Sequence, residues 1–271
     1  MPENLAAIEQ IEFDASVDLY RAAPQDVRAA HAIESRSLGP ASCLSCLGLE
    51  PATMFRRAVG LGLHRPATEA ELDAALAHMN RLGLRYAVPL APHARPAALA
   101  SWLEQRGFTR GYAWMKFSRR CDARLNSPTN LEIRIAGREL GSAFGKVVAE
   151  GFGLAPTIAP WVGALAGRQD WVCVMAFDGA TPVAAGAVYL KGKYAWLGFG
   201  ATLPSHRRHG AQGALLARRI AEAAARGACI AVTETGERQP DEPSNSYRNI
   251  LKAGFEERQL RQNWMSPAAK A

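Results

Sequence analysis

The sequence predicts an α/β (α+β) protein in which one order of strands and helices occurs twice. Three observations carry this. Residues 131–265 read as strand, helix, a further helical stretch, three strands, helix, strand, helix, strand. Residues 12–120 repeat the landmarks of that order in a worn form. A basic, glycine-containing turn, Arg207-Arg208-His209-Gly210, stands between a strand pattern and a helix pattern in the second copy.

The first copy begins with Phe55 to Leu63, which is strand-like. Ala70 to Leu82 is helical, because Leu72, Leu76 and Met79 recur at helical spacing. Thr68-x-x-Glu71, with Pro66 before it, is a capping box that starts this helix. Arg85 to Leu90 is a second strand, and Leu99 to Gln105 a helix ending at Gly107-Phe108. Tyr112 to Phe117 alternates as a last strand. A polar linker with Pro128 follows, dividing the chain into residues 1–122, 123–130 and 131–271.

In the second copy Leu131 to Ile135 is a strand and Leu140 to Gly153 a helix. Asp170 to Phe177 and Val183 to Leu190 flank Asp178-Gly179, a hairpin signal. Tyr194 to Thr202 is apolar and broken by glycine, and the helix pattern after the basic turn runs from Leu215 to Ala221. Ala228 to Thr233 reads as a strand rich in β-branched residues. A polar loop from Thr235 to Pro243 leads to the short helix Ser246 to Ala253, closed by Gly254-Phe255.

The chain has 271 residues, 48% of them hydrophobic, enough for one large or two small cores. No apolar run reaches the ~20 residues of a membrane span, and Met1 to Gln10 lacks the apolar stretch of a signal peptide. The expected location is the cytoplasm, where the five cysteines stay reduced. Cys43-Leu-Ser-Cys46 has no second ligand pair, so no metal is expected. The net charge of +7 comes from arginines spread along the chain, without the aromatic and basic interleaving of a nucleic-acid module.

The basic turn carries the chemistry. The first turn of a helix has four unpaired N–H groups and about half a positive charge. Glycine lets an anion approach the backbone, so the turn predicts a pyrophosphate site. There is no Gly-Lys-Ser/Thr ending and no Gly-x-Gly-x-x-Gly opening a helix, which excludes a P-loop and argues against a Rossmann site. The spacing Arg207-x-x-Gly210-x-Gln212, with small residues at Gly213 and Ala214, resembles the acetyl-CoA signature of the GNAT superfamily of N-acyltransferases. The element order over 131–265 and the closing Lys252-Ala253-Gly254-Phe255 match that family as well. Arg57-x-x-Gly60-x-Gly62 satisfies the same pattern. It lies within a strand, however, and the helix that follows begins with its own cap and with Glu69, Glu71 and Asp73, which repel a pyrophosphate.

The resemblance implies a mixed central sheet flanked by helices, in two tandem copies of which the first is degenerate. It implies acetyl-CoA as acyl donor, an amine-bearing small molecule or peptide as acceptor, and direct transfer between them. Gly200, Ala201 and Thr202 would line the pantetheine through main-chain bonds, and Arg207, Arg208, His209, Gly210, Ala211, Gln212, Gly213 and Ala214 would hold the phosphates. The strand from Tyr194 to Thr202 lacks the glutamate many family members carry there, and Ile250 stands at the family's acid tyrosine. Tyr247, three residues earlier on the same helix face, is the candidate acid, and Glu234, at the end of the next strand, the candidate base, directly or through water. Glu150 is a third candidate carboxylate. The alternative function is a non-catalytic acyl-CoA-binding or regulatory module.

Overall fold

The computed structural model describes residues 4–49, 53–122, 124–238 and 244–268. The first half contains α1 (Leu5–Arg21), α2 (Gln25–His31), β1 (Glu34–Leu38), β2 (Ala41–Ser45), β3 (Arg57–Val59), α3 (Glu69–Asn80), β4 (Ala87–Leu90), α4 (Leu99–Gln105) and β5 (Thr109–Arg120). The second contains β6 (Glu132–Ala136), α5 (Gly141–Phe152), α6 (Ala159–Gly163), β7 (Trp171–Asp178), β8 (Thr181–Lys191), β9 (Tyr194–Thr202), α7 (Ala211–Ala225), β10 (Ile230–Gly236), α8 (Asn245–Lys252) and β11 (Glu256–Met265). From α1 and from α5 onward the two halves have the same order of helices and strands.

All the strands join one eleven-stranded mixed sheet, in the order β1-β2-β3-β4-β11-β5-β10-β9-β8-β7-β6. Pairing is antiparallel except for one parallel contact in each half, β3 with β4 and β9 with β10. The centre of the sheet does not respect the boundary between the halves. β5 lies between β10 and β11, and β11 lies between β5 and β4. Each half therefore gives its last strand to the other. The β5–β11 pair runs from Glu256 opposite Ser118 to Met265 opposite Thr109. The chain from Arg124 to Thr129, within the expected linker, has no regular structure and crosses the start of α7.

The sheet is covered on both faces, so β7 is buried from Trp171 to Phe177. Successive side chains alternate between faces. Trp171, Cys173, Met175 and Phe177 pack in the core that holds α1, α5 and α6, while Val172, Val174 and Ala176 pack in the core with α7 and α8. A separate cluster seats Leu72, Leu76 and Met79 of α3 and Leu99 and Leu103 of α4 on β4.

Helix α1 is absent from the sequence reading because Glu9 and Glu12 interrupt its apolar stripe. Asn4 caps it, and Ile8, Ile11, Ala15 and Leu19 are buried. It docks on the second half. Asp18 accepts hydrogen bonds from Arg168 at 2.8 Å and from Trp171 Nε1 at 2.7 Å, and the Leu19 carbonyl accepts from Trp161 Nε1 at 2.7 Å.

The strand expected over 55–63 is shorter than its pattern. It spans Arg57–Val59 only, because Gly60 and Gly62 adopt φ of +94° and +69° and turn the chain. A side chain on Gly62 would collide with the backbone of Arg95. The last strand of this half is longer than the 112–117 pattern, reaching from Thr109 to Arg120. The Gly179 turn and the Thr68–Glu71 capping box form as the sequence implies, with Glu71 N–H donating to Thr68 Oγ1 at 3.2 Å. Of the polar loop over 235–243, residues 239–243, with Asp241 and Glu242, lie outside the described residues.

The exchanged strands predict that the halves do not fold apart. Residues 131–271 expressed alone should give insoluble or non-cooperatively melting protein, and co-expression with residues 1–130 should restore a soluble complex. Independent reversible melting of the two fragments would contradict this.

Candidate functional site

The site is built where β9 and β10 separate. They pair in parallel over Ile230↔Tyr194, Ala231↔Ala195 and Val232↔Trp196, and then diverge. A bulge in β9 opens the gap. The register with β8 slips between Ala185 and Ala187, and Phe199 sits at φ +56°. A bulge leaves main-chain groups unpaired. Arg219 of α7 meets them, donating from Nη1 to the carbonyls of Gly198 at 3.0 Å and Ala187 at 3.3 Å, and from Nε to Leu215 at 3.1 Å. Gly186 leaves room for the guanidinium, since a Cβ there would lie 2.7 Å from its central carbon. Arg219 is buried, and that burial pulls its guanidinium down to about 10. No carboxylate faces it among the described residues.

A turn over residues 203–210 joins β9 to α7. Arg207 is extended, Arg208 has φ +70°, and Gly210 is the N-cap at φ +78° with no side-chain cap bond. The guanidinium groups of Arg207 and Arg208 are exposed and make no bond among the described residues. His209 gives its carbonyl to Thr129 Oγ1 at 2.9 Å, and His206 Nε2 lies 3.5 Å from Asp178. Ala211 and Ala214 are buried against the core. Gln212 reaches back across the gap, donating to Thr202 Oγ1 at 2.8 Å and lying beside Gly200. The linker adds a neighbour the sequence does not announce. A Cβ on Gly213 would strike the Ser127 hydroxyl, and one on Gly210 would lie 3.0 Å from the Pro128 carbonyl. An uncapped helix start, two free arginines and glycines at the closest points fit a pyrophosphate.

Ala201 and Thr202 are buried at the end of β9, covered by Gly151 of α5, and Gly200 is exposed between Gln212 and Arg219. Glu150 is exposed on α5. Tyr247 stacks edge-on against Phe117 at 4.9 Å, and its hydroxyl donates to Glu257 at 2.6 Å. Burial, with that bond and the charge on Glu257, pushes the phenol up to about 12.

Glu234 does not stand free at the splay. Oε2 accepts from Lys116 Nζ at 2.8 Å, and both oxygens accept from Trp196 Nε1, at 2.9 and 3.0 Å. Trp196 folds over Gly198, where only glycine leaves it space. Trp171 and Phe199 flank its indole at 6.2 and 5.8 Å. Lys116 is fully buried on β5, directly opposite Glu234, and also donates to Glu12 Oε2 at 2.9 Å. Glu12 in turn pairs with Arg57 at 3.1 Å and with Arg261, and Arg261 reaches Glu9 at 2.8 Å. Three carboxylates, Glu9, Glu12 and Glu234, thus meet three cations, Arg57, Lys116 and Arg261, beneath α1. Burial acts to raise Glu12, but Arg261, Lys116 and Arg57 hold it well below the usual carboxylate range. Burial raises Glu234, and Lys116 opposes it only in part.

These partners are missing from the sequence reading. Their signal is a charge on an apolar face: Lys116 inside an alternating strand, Arg219 inside an apolar helix stripe, Glu9 and Glu12 among Ile8 and Ile11. The arginine of the first-half pattern, Arg57, is spent on this cluster and on Ser16, to which it donates at 3.0 Å. Beside it a shallow cleft lined by Phe13, Gly60, Leu61 and Pro89 opens between α1 and the ends of β3 and β4. Cys43 and Cys46 are free thiols, each pushed up to about 11 by burial.

The fold is that of solved GCN5-related N-acetyltransferases. One from Kribbella flavida is 22% identical, with a TM-score of 0.60 over 93% of this chain and 95% of that one. One from Sphaerobacter thermophilus is 14% identical, with a TM-score of 0.63 over 87% of this chain and 83% of that one. A tandem GNAT protein from the clavulanic acid biosynthesis pathway is 15% identical, with a TM-score of 0.59 over 87% of this chain and 82% of that one. No family profile and no curated protein matches the sequence.

The cluster sets a stability prediction. Removing one partner of a buried ion pair costs about 3–5 kcal/mol, so Glu12→Gln should lower unfolding stability by that order near neutral pH. Because Glu12 is held low in the folded state, its contribution is present above the ordinary carboxylate range and lost as pH falls through the lower folded value. Urea unfolding across that range should show the gap between wild type and variant closing with acid. A constant gap would contradict the assignment.

Proposed function

We propose that the chain is an acyl-CoA-dependent N-acyltransferase that moves an acetyl group from acetyl-CoA to an amine by direct transfer, with the donor bound in the second half. The observation that carries this is the uncapped, arginine-flanked start of α7 at the mouth of a splay between two parallel strands. The solved structural neighbours, GCN5-related N-acetyltransferases and a tandem GNAT protein, support the reaction class. When bound, acetyl-CoA supplies the activated acyl group. Arg207, Arg208 and the main chain from His209 to Ala214 would hold its pyrophosphate, and Ser127 Oγ is near enough to Gly213 to join them. Gly200, Ala201 and Thr202 would line the pantetheine.

In this reading the first half is a degenerate copy that binds no donor, and each chain takes up one acetyl-CoA. In the first half the start of α3, which holds the place of α7 in the element order, is capped by Thr68, and Glu71 is paired with Arg65, so that helix start is not open to phosphate. The acceptor is an amine-bearing small molecule or peptide. The cluster of Trp171, Trp196 and Phe199, and the exposed Phe152 before the Gly153 turn, favour one with apolar surface. All five cysteines are free thiols, which supports a cytoplasmic setting.

Tyr247 is assigned as the acid. Its raised phenol keeps the proton at neutral pH and can give it to the leaving thiolate. Glu234 is assigned as the base, acting through a water, because Oε1 accepts a single bond and keeps a lone pair free. Arg219 places an unneutralised positive charge under the bulge, where it favours developing negative charge at the thioester. The internal bonds of Glu234 and Tyr247 favour the second reading, an acyl-CoA-binding module without transfer. Amine-dependent release of thiol from acetyl-CoA separates the two.

Calorimetry should give one acetyl-CoA per chain. Gly210→Asp puts a carboxylate at the phosphate and should cost about several kcal/mol of binding, on the order of a buried unpaired charge. Gly210→Asn, which also tolerates the left-handed region, should keep most of it. Folded Gly210→Asp protein with normal affinity, or a stoichiometry of two, would overturn the assignment.

Tyr247→Phe keeps the ring against Phe117 and removes only the hydroxyl. It should lower kcat by roughly 10²–10⁴ with acetyl-CoA affinity little changed. An unchanged kcat would remove Tyr247 from the mechanism.

A further inference from the structure

We infer that Lys116, carried on the strand that the first half gives to the second, is the positioning residue for the Glu234 carboxylate at the splay. This rests on the assignment of Glu234 as base. Lys116 stands opposite Glu234 in the β5–β10 register, its ammonium is fully buried, and it donates to Glu234 at 2.8 Å. Among the described residues, no element of the second half supplies a cation in contact with Glu234. The groups that face the carboxylate are Lys116 from β5, Trp196 from β9, Glu12 from α1 and Arg261 from β11.

The geometry explains what the first half does for a site it does not line. A carboxylate this deep favours its neutral form, and a neutral carboxyl is no base. Lys116 supplies the opposing charge. Glu12 competes for the same ammonium, at 2.9 Å, so α1 sets how much of that charge Glu234 receives. Arg57 and Arg261 hold Glu12 in turn, at 3.1 Å and in a shorter contact. The strand exchange is therefore the route by which the charge enters the site.

The test uses the full chain, with glutamate side-chain carbons labelled and the Glu234 signal assigned by its loss in Glu234→Gln. In Lys116→Met the midpoint of the Glu234 carboxyl should rise by at least about one pH unit, the scale of a close opposite charge. The acidic limb of the kcat profile should move the same way while the acetyl-CoA KM stays within about twofold, since Lys116 is fully buried and spends its ammonium on Glu12 and Glu234. Lys116→Arg should return most of both effects. Should Lys116→Met fail to fold, Lys116→Gln, which keeps a hydrogen-bond donor without the charge, carries the same test, and the midpoint should again rise. A midpoint that does not move in the folded charge-removing variant overturns the inference. A Glu234→Gln variant with normal kcat overturns the base assignment instead, because it leaves the Lys116-dependent midpoint in place.

Discussion

The antiparallel pairing of β5 with β11 is the constraint on which the rest of the structure depends. These strands come from opposite halves and lie side by side at the middle of an eleven-stranded sheet. Remove the pair and β4 and β10 become exposed edges, each with a row of unpaired main-chain groups. The pair also sets the charged cluster, because Lys116 enters from β5 and Arg261 from β11. α1 closes the cluster with Glu9 and Glu12 and is itself fixed to the second half through Asp18 and Leu19. Sheet, helix and charge are thus one interlock. Its ion pairs resist being broken singly, because each loss leaves an uncompensated buried charge.

Much of the second half was legible because its signals are local. Gly179 makes a hairpin turn, Gly210 starts a helix, and Gly254, at φ +76°, ends one. Each is a matter of a few residues and one backbone conformation. The strand after Arg57 misled because its apolar residues continue past Val59, while the glycines at 60 and 62 turn the backbone to meet Arg95. Helix α1 escaped because its buried face carries Glu9 and Glu12, whose partners are more than a hundred residues away at Lys116 and about two hundred and fifty away at Arg261. Periodicity reads such glutamates as solvent-facing; only the tertiary partners make them core.

The candidate site divides the same way. The basic turn is a local motif, and Arg207, Arg208 and Gly210 stand between β9 and α7. The environment of Glu234 is not local. Trp196 comes from β9, Lys116 from the other half, and the linker residues Ser127 and Pro128 lie against α7 through a crossing that no pattern announces. Arg219 is intermediate. An arginine in an apolar helix stripe is visible in the sequence, but its task, closing the bulge at Gly198, needs the register of β8 and β9.

Native-state hydrogen exchange tests the interlock most directly, because it reads opening energies strand by strand. Amides of β4, β11, β5 and β10 should exchange through a single opening, with the same free energy as those of β8 and β9. An opening that releases β1 to β4 at markedly lower free energy, while β5 to β10 stay protected, would contradict it.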